Sequence, residues 1–135
     1  MGIALDQFQL DLNAFVIDEV PKEFKRRHIE IIIYLYNQIL EGMPVRTGHA
    51  KGNWRVSMHT PGNGVLGIDG EGVLSRPTES IRGDMDTMKV GDIIWIYNNV
   101  HYMTYIEDGS PNNPPRLVVA SAIENTRMYI ASRGW

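Results

Sequence analysis

The sequence contains no cysteine. That excludes a disulfide scaffold, a thiolate zinc site and a cysteine nucleophile together, and it fits synthesis in a reducing cytoplasm. Long apolar runs are missing too. The longest, Ile31-Ile32-Ile33-Tyr34-Leu35-Tyr36, falls far short of the ~20 residues of a membrane-spanning helix, so no membrane association is expected. Residues 1–12 show no basic stretch followed by an apolar one, the pattern of a secretory signal. Nor is there a surplus of positive charge. Thirteen Lys and Arg face 16 Asp and Glu, for a net charge of −3 and a pI of about 5.8. A protein built to grip nucleic-acid phosphates shows a basic domain or stripe, so no specific nucleic-acid binding is expected.

Recognisable constellations of chemistry are also lacking. The four histidines, His28, His49, His59 and His101, have no H-E-x-x-H or similar ligand spacing, and no G-x-S-x-G marks a serine nucleophile. Gly48-His49-Ala50-Lys51-Gly52-Asn53 has the glycines and lysine of a phosphate loop without its G-K-[ST] ending, and it follows a helix, not a strand. Glu107-Asp108 reads as turn residues ahead of Gly109. Lys22, Lys25, Arg26 and Arg27 cluster, but Glu19, Glu23 and Glu30 interleave with them, which describes a solvated or salt-bridged face. No catalytic residue, metal or cofactor is assigned.

What is present fits one domain over residues 1–135. Hydrophobic residues make up 43% of the chain and charged residues 21%, enough for a core without staples. Residues 6–18 read as a helix, with Asp6 as cap and Phe8, Leu12 and Phe15 as its stripe. Pro21 suits the first turn of a second helix that runs to about Glu41, stopped by Gly42 and Pro44. That helix carries two apolar stripes, Phe24-Ile31-Leu35-Ile39 and Ile29-Ile33-Tyr36-Leu40, so it is buried on two sides. One side meets the chain's own sheet. The other meets a helix of its own or another subunit, which makes Ile29, Ile33, Tyr36 and Leu40 candidate interface residues.

Beyond Gly48 the period changes to two. Trp54, Val56 and Met58 alternate with polar residues as a half-buried strand, and Val65 to Ile68 reads as a short returning strand. Residues 69–77 read as an exposed loop whose acids, Asp69 and Glu71, are further interface candidates. Thr78 to Lys89 fits a short helix through Ile81, Met85 and Met88. Ile93 to Tyr97 is wholly apolar and reads as a central strand. Val100 to Glu107 reads either as a strand or as a helical turn. A last helix runs from about Arg116 to Ile130. The order is that of an α+β fold: long N-terminal helices and a C-terminal helix packed on a small antiparallel sheet.

Two segments carry a resemblance. Pro44-Val45-Arg46-Thr47-Gly48-His49-Ala50-Lys51-Gly52-Asn53-Trp54 resembles the P-x-x-T-G…W segment of neck and tail-completion proteins of long-tailed DNA phages. These are the minor tail protein Z-like family and related head–tail connector subunits. Asn98-Asn99-Val100-His101-Tyr102-Met103-Thr104-Tyr105-Ile106-Glu107-Asp108-Gly109 resembles that family's N-x-x-x-Y-x-x-x-x-E-x-G segment. Arg46 departs from the acid many relatives carry before Thr-Gly, and residues 69–91 look like an insertion. The motif residues, Pro44, Thr47, Gly48, Trp54, Tyr102, Glu107 and Gly109, read as structural: helix stop, turn cap, positive-φ glycine, core anchor and turn acceptor.

The resemblance implies a non-enzymatic virion protein at the head–tail junction, made in the host cytoplasm, that completes or caps the tail and docks it to the head. It implies a homo-oligomeric ring, sixfold in the virion, with the tail terminator, tail tube and head-closure protein as partners. The alternatives are a tail terminator or head-closure adaptor of the same neck, a small enzyme such as a nuclease or hydrolase, and a monomeric binding module. A deep pocket with convergent polar groups would mark the enzyme, and apolar patches on opposite sides would mark the ring subunit.

Overall fold

Pro21 sits in the first turn of the dominant element, where a missing N–H costs nothing. The computed structural model describes residues 9, 19–44, 48–66 and 78–135, the backbone alone for 78–80. In chain order it comprises α1 (Val20–Gly42), α2 (His49–Gly52), β1 (Arg55–Met58), α3 (Thr78–Asp84), β2 (Ile94–Tyr97), α4 (Met103–Asp108) and α5 (Val118–Ser132). The expected α+β class is what the structure shows. Of the expected helix over 6–18 only Gln9 is described, and it is helical; the rest of that helix, Thr47, and the loop with Asp69 and Glu71 lie outside the described residues.

α1 and α5 form an antiparallel pair. Gly42 packs on Val118, the Asn125 amide donates to Gln38 Oε1 at 3.0 Å, Tyr34 stacks on Tyr129 at 4.1 Å, and Arg26 and Arg27 lie over the Trp135 ring. α5 starts two residues later than the sequence suggests. The N–H groups of Arg116 and Leu117 bond back to the carbonyls of Ile106 and Glu107, and Leu117 takes φ 50°.

Strands β1 and β2 pair antiparallel, Val56 opposite Ile96 and Met58 opposite Ile94. Those four face the core, which also takes Ile33, Tyr36, Ile39, Leu40, Trp54, Ile81 and Met85. The pleat then sends Ile93, Trp95 and Tyr97 outward. Ile93 is 60% exposed and Trp95 40%, so β2 is not the central strand its composition suggests. Among the described residues it has β1 alone as neighbour.

The returning strand expected at Val65 is not formed at Val65 and Leu66. Asn53 explains why. Fully buried, it donates to the Leu66 carbonyl at 3.2 Å and accepts from the Leu66 N–H at 2.6 Å, taking both groups a strand partner would need. The ambiguous stretch after Val100 is helical, as α4. α3 ends at Asp84, five residues before the sequence expectation, and turns carry Met85 and Met88 into the core.

Candidate functional site

α1 ends in a bend at Met43, just before Pro44, and Gly48 has a φ of 79°, in the left-handed region. Gly48 opens the single turn of α2, with Gly52 N–H bonded to its carbonyl at 2.8 Å. The second motif segment folds directly against this turn. Asn98 donates to the Ala50 carbonyl at 2.7 Å and accepts from its own Val100 N–H at 3.0 Å, joining the two segments. Next door, Asn99 donates to the carbonyls of Gly62 and Gly64.

α4 then presents Tyr102, Tyr105 and Ile106 toward the Pro44–Ala50 stretch. His49 and Tyr102 lie 6.4 Å apart between ring centroids. At the end of α4 the backbone swings away at Gly109, φ 85°. A Cβ there would meet the Pro115 nitrogen at 2.8 Å, so no other residue fits without a shift. A short loop closed by Ser110 and Asn113 follows. Glu107 reaches past that loop to α5: its two carboxylate oxygens accept from Val119 N–H at 2.8 Å and Ala120 N–H at 3.0 Å. Those are orphan donors of the helix start, and a carboxylate is favoured there by the helix dipole.

Between these walls lies an open groove of about 620 Å³. Pro44, Tyr102, Tyr105, Ile106 and Pro114 give it an apolar, ring-rich lining; Ser110 and Asn113 add polar edges. Among the described residues Arg116 is the only charged residue of the lining, and its guanidinium makes no side-chain bond to any of them.

Of the sequence's motif residues, Pro44, Gly48 and Tyr102 line this groove, and Glu107 and Gly109 shape its far wall. Trp54 lies apart, buried in the core behind the sheet. The interface candidates on α1 need correction. Ile33, Tyr36 and Leu40 are buried within this single chain and Ile29 packs on the same core. Of the two expected neighbours for this side of the helix, a helix of the same chain or another subunit, the structure places α5 against α1, with Val118 and Ala122 in the same core. The sequence reading missed Tyr105, Pro114 and Arg116, and no local periodicity announces them.

Along α1 several charges are paired. Hydrogen bonds from Arg26, at 2.6 Å, and from Arg27, at 2.9 Å, hold the Glu23 carboxyl at about 2, well below its ordinary value. Lys22 pairs with Glu19, Lys25 reaches the Asp86 carbonyl, and Arg82 bridges to Glu30 at 2.5 Å. Burial pushes the His28 imidazole down, and its Nδ1 has no partner. Among the described residues no group of three or more His, Asp or Glu is placed to hold a metal ion, and no helix is long and apolar enough to cross a membrane. Compared with protein-family models, curated proteins and solved structures, the chain matches none, so the resemblance rests on the residues of the two motif segments themselves.

Proposed function

We infer that this chain is a structural subunit at the head–tail junction of a long-tailed phage, completing or capping the tail and docking it to the head. The observation that carries the reading is the meeting of the two motif segments. Far apart in sequence, they are joined by Asn98 and Ala50 and together build one groove. The roles of the motif residues are mechanical. Gly48 and Gly109 set backbone turns, Glu107 caps a helix and Trp54 anchors the core. Such a motif defines a shape for partners to dock on.

The surface agrees with docking. Large apolar side chains stand exposed at separated places: Phe24 near the start of α1, Trp95 and Ile93 outside the sheet, Tyr105 in the groove. Their separation suits a ring subunit with a neighbour on each side. Its partners would be the tail terminator, the tail tube and the head-closure protein, met through shape and charge complementarity, with no bond made or broken. Tail terminator or head-closure adaptor is the nearest variant of the same reading.

The test is electron microscopy of particles from a parent phage lacking this gene. Filled heads beside complete but unattached tails are expected. Joined, infectious particles would overturn the assignment.

A further inference from the structure

The groove has apolar walls open to water. Tyr105 is 60% exposed, and among the described residues Arg116 is its one charge. What fits is an apolar segment with an acidic flank. The chain itself contains one. Residues 1–18 carry three aspartates, Asp6, Asp11 and Asp18, and no Lys or Arg. That accounts for the whole net charge of −3, since the remaining residues hold equal numbers of acids and bases. The sequence pattern places Phe8, Leu12 and Phe15 on one helical stripe, with Asp11 about 60° around the helix from Phe8. An amphipathic helix laid in an apolar groove is a standard recognition mode.

We propose that the acidic N-terminal segment of one copy docks in the Tyr105–Arg116 groove of the next copy, with Asp11 on Arg116. Distance selects a second copy over the same one. The segment is tethered at the start of α1, beside Trp135, whereas the groove lies beyond the other end of α1, beside Val118. The 23 residues of α1 put about 35 Å between them. In the helix that the sequence pattern predicts for residues 6–18, the stripe would reach only about 15 Å from the tether. The contact is therefore head-to-tail, the heterologous kind that closes into rings. The proposal rests on the ring reading above, and supplies the joint such a ring needs.

Full-length variants test it by sedimentation velocity. Phe8→Asp with Phe15→Asp blocks the segment; Tyr105→Asp with Arg116→Asp blocks the groove. The wild-type chain should self-associate with rising concentration, and each blocked variant should lose at least tenfold in self-affinity. Mixed together, the two blocked variants should form dimers and nothing larger, because one intact joint remains; this result also shows that both fold. The charge exchange Asp11→Arg with Arg116→Asp should restore what Arg116→Asp alone removes. A wild-type chain monomeric at millimolar concentration overturns the proposal, as does unchanged association of either blocked variant. Failure of this joint and failure of the neck reading are separable. Unattached tails in the gene-deficient phage with a monomeric wild-type chain sink the joint alone; a head-to-tail ring whose loss leaves particles intact sinks the neck reading alone.

Discussion

Glu107 reaches twelve residues along the chain to hold the start of α5, the most consequential contact made by a single side chain in the second motif segment. Its two oxygens satisfy two backbone donors that otherwise meet only water. Glu107→Ala should cost ~0.5–2 kcal/mol, the range for losing a helix cap, read as a shift in urea midpoint. Glu107→Gln keeps an acceptor and loses the charge, so it should fall between. Trp54 is larger in effect. At 7% exposure it fills the core beside Tyr36, whose hydroxyl donates to its carbonyl at 3.3 Å. Trp54→Ala should cost ~3–5 kcal/mol. Its Nε1 has no partner, so Trp54→Phe keeps most of the packing and removes an orphan donor, and should cost much less.

Glu23 gives a prediction in pH. Its folded pKa is lowered, from 4.5 to about 2, by Arg26 and Arg27. A depressed carboxyl stabilises the fold above its unfolded pKa and loses that contribution as pH falls through the folded one. The effect is therefore complete above pH 4.5 and fades toward pH 2. The group is solvent-exposed, so salt weakens the effect. Glu23→Gln should flatten the acid limb of a stability–pH curve in that window at low salt; an unchanged limb would show that the arginine contacts contribute nothing to folding.

Among the elements, α1 decides the architecture because both its apolar stripes, apart from exposed Phe24, are consumed inside one chain. Tyr36 and Leu40 from one stripe and Ile39 from the other are all buried. Ile33, at 6% exposure, belongs to this internal core, so Ile33→Asp buries an unpaired carboxylate and should unfold the monomer itself. A folded Ile33→Asp monomer that merely failed to assemble would contradict this. The limits of α1 were legible because Pro21, Gly42 and Pro44 act through their own backbone. β1 and the core-facing half of β2 were legible from alternation. The outer face of β2 was not, because an unbroken apolar run reads as burial on both sides whether or not a second neighbour exists. The role of Asn53 was not legible because its partner, Leu66, lies 13 residues on; the signal is a buried amide, visible only after folding. The groove stayed hidden for the same reason. Its lining comes from three separate segments, and only Pro44, Gly48 and Tyr102 were fixed positions of a motif.

At the scale of the whole molecule, charge separates a neck subunit from a nucleic-acid-binding module. Duplex binding grows with each phosphate contact through released counterions, so a subunit that DNA must slide past needs its cations occupied. In α1 they are: Arg26 and Arg27 on Glu23, Lys22 on Glu19, Lys25 on Asp86. The rings of Trp135 and the two arginines add a further contact that keeps those guanidiniums on the protein. The remaining net charge is negative and sits in residues 1–18. In the ring we propose, that charge would repel a duplex and leave it free to move along the axis. The isolated protein should therefore show no measurable duplex binding at ~0.15 M salt, where charges are screened beyond about 8 Å. Fluorescence anisotropy of a labelled duplex is the measurement. Neutralising Glu19 and Glu23 together would free Lys22, Arg26 and Arg27, and should produce weak, steeply salt-dependent binding where the wild type shows none. Micromolar binding by the wild type, lost when Lys22, Lys25, Arg26 and Arg27 are neutralised, would replace the neck reading with that of a nucleic-acid-binding module.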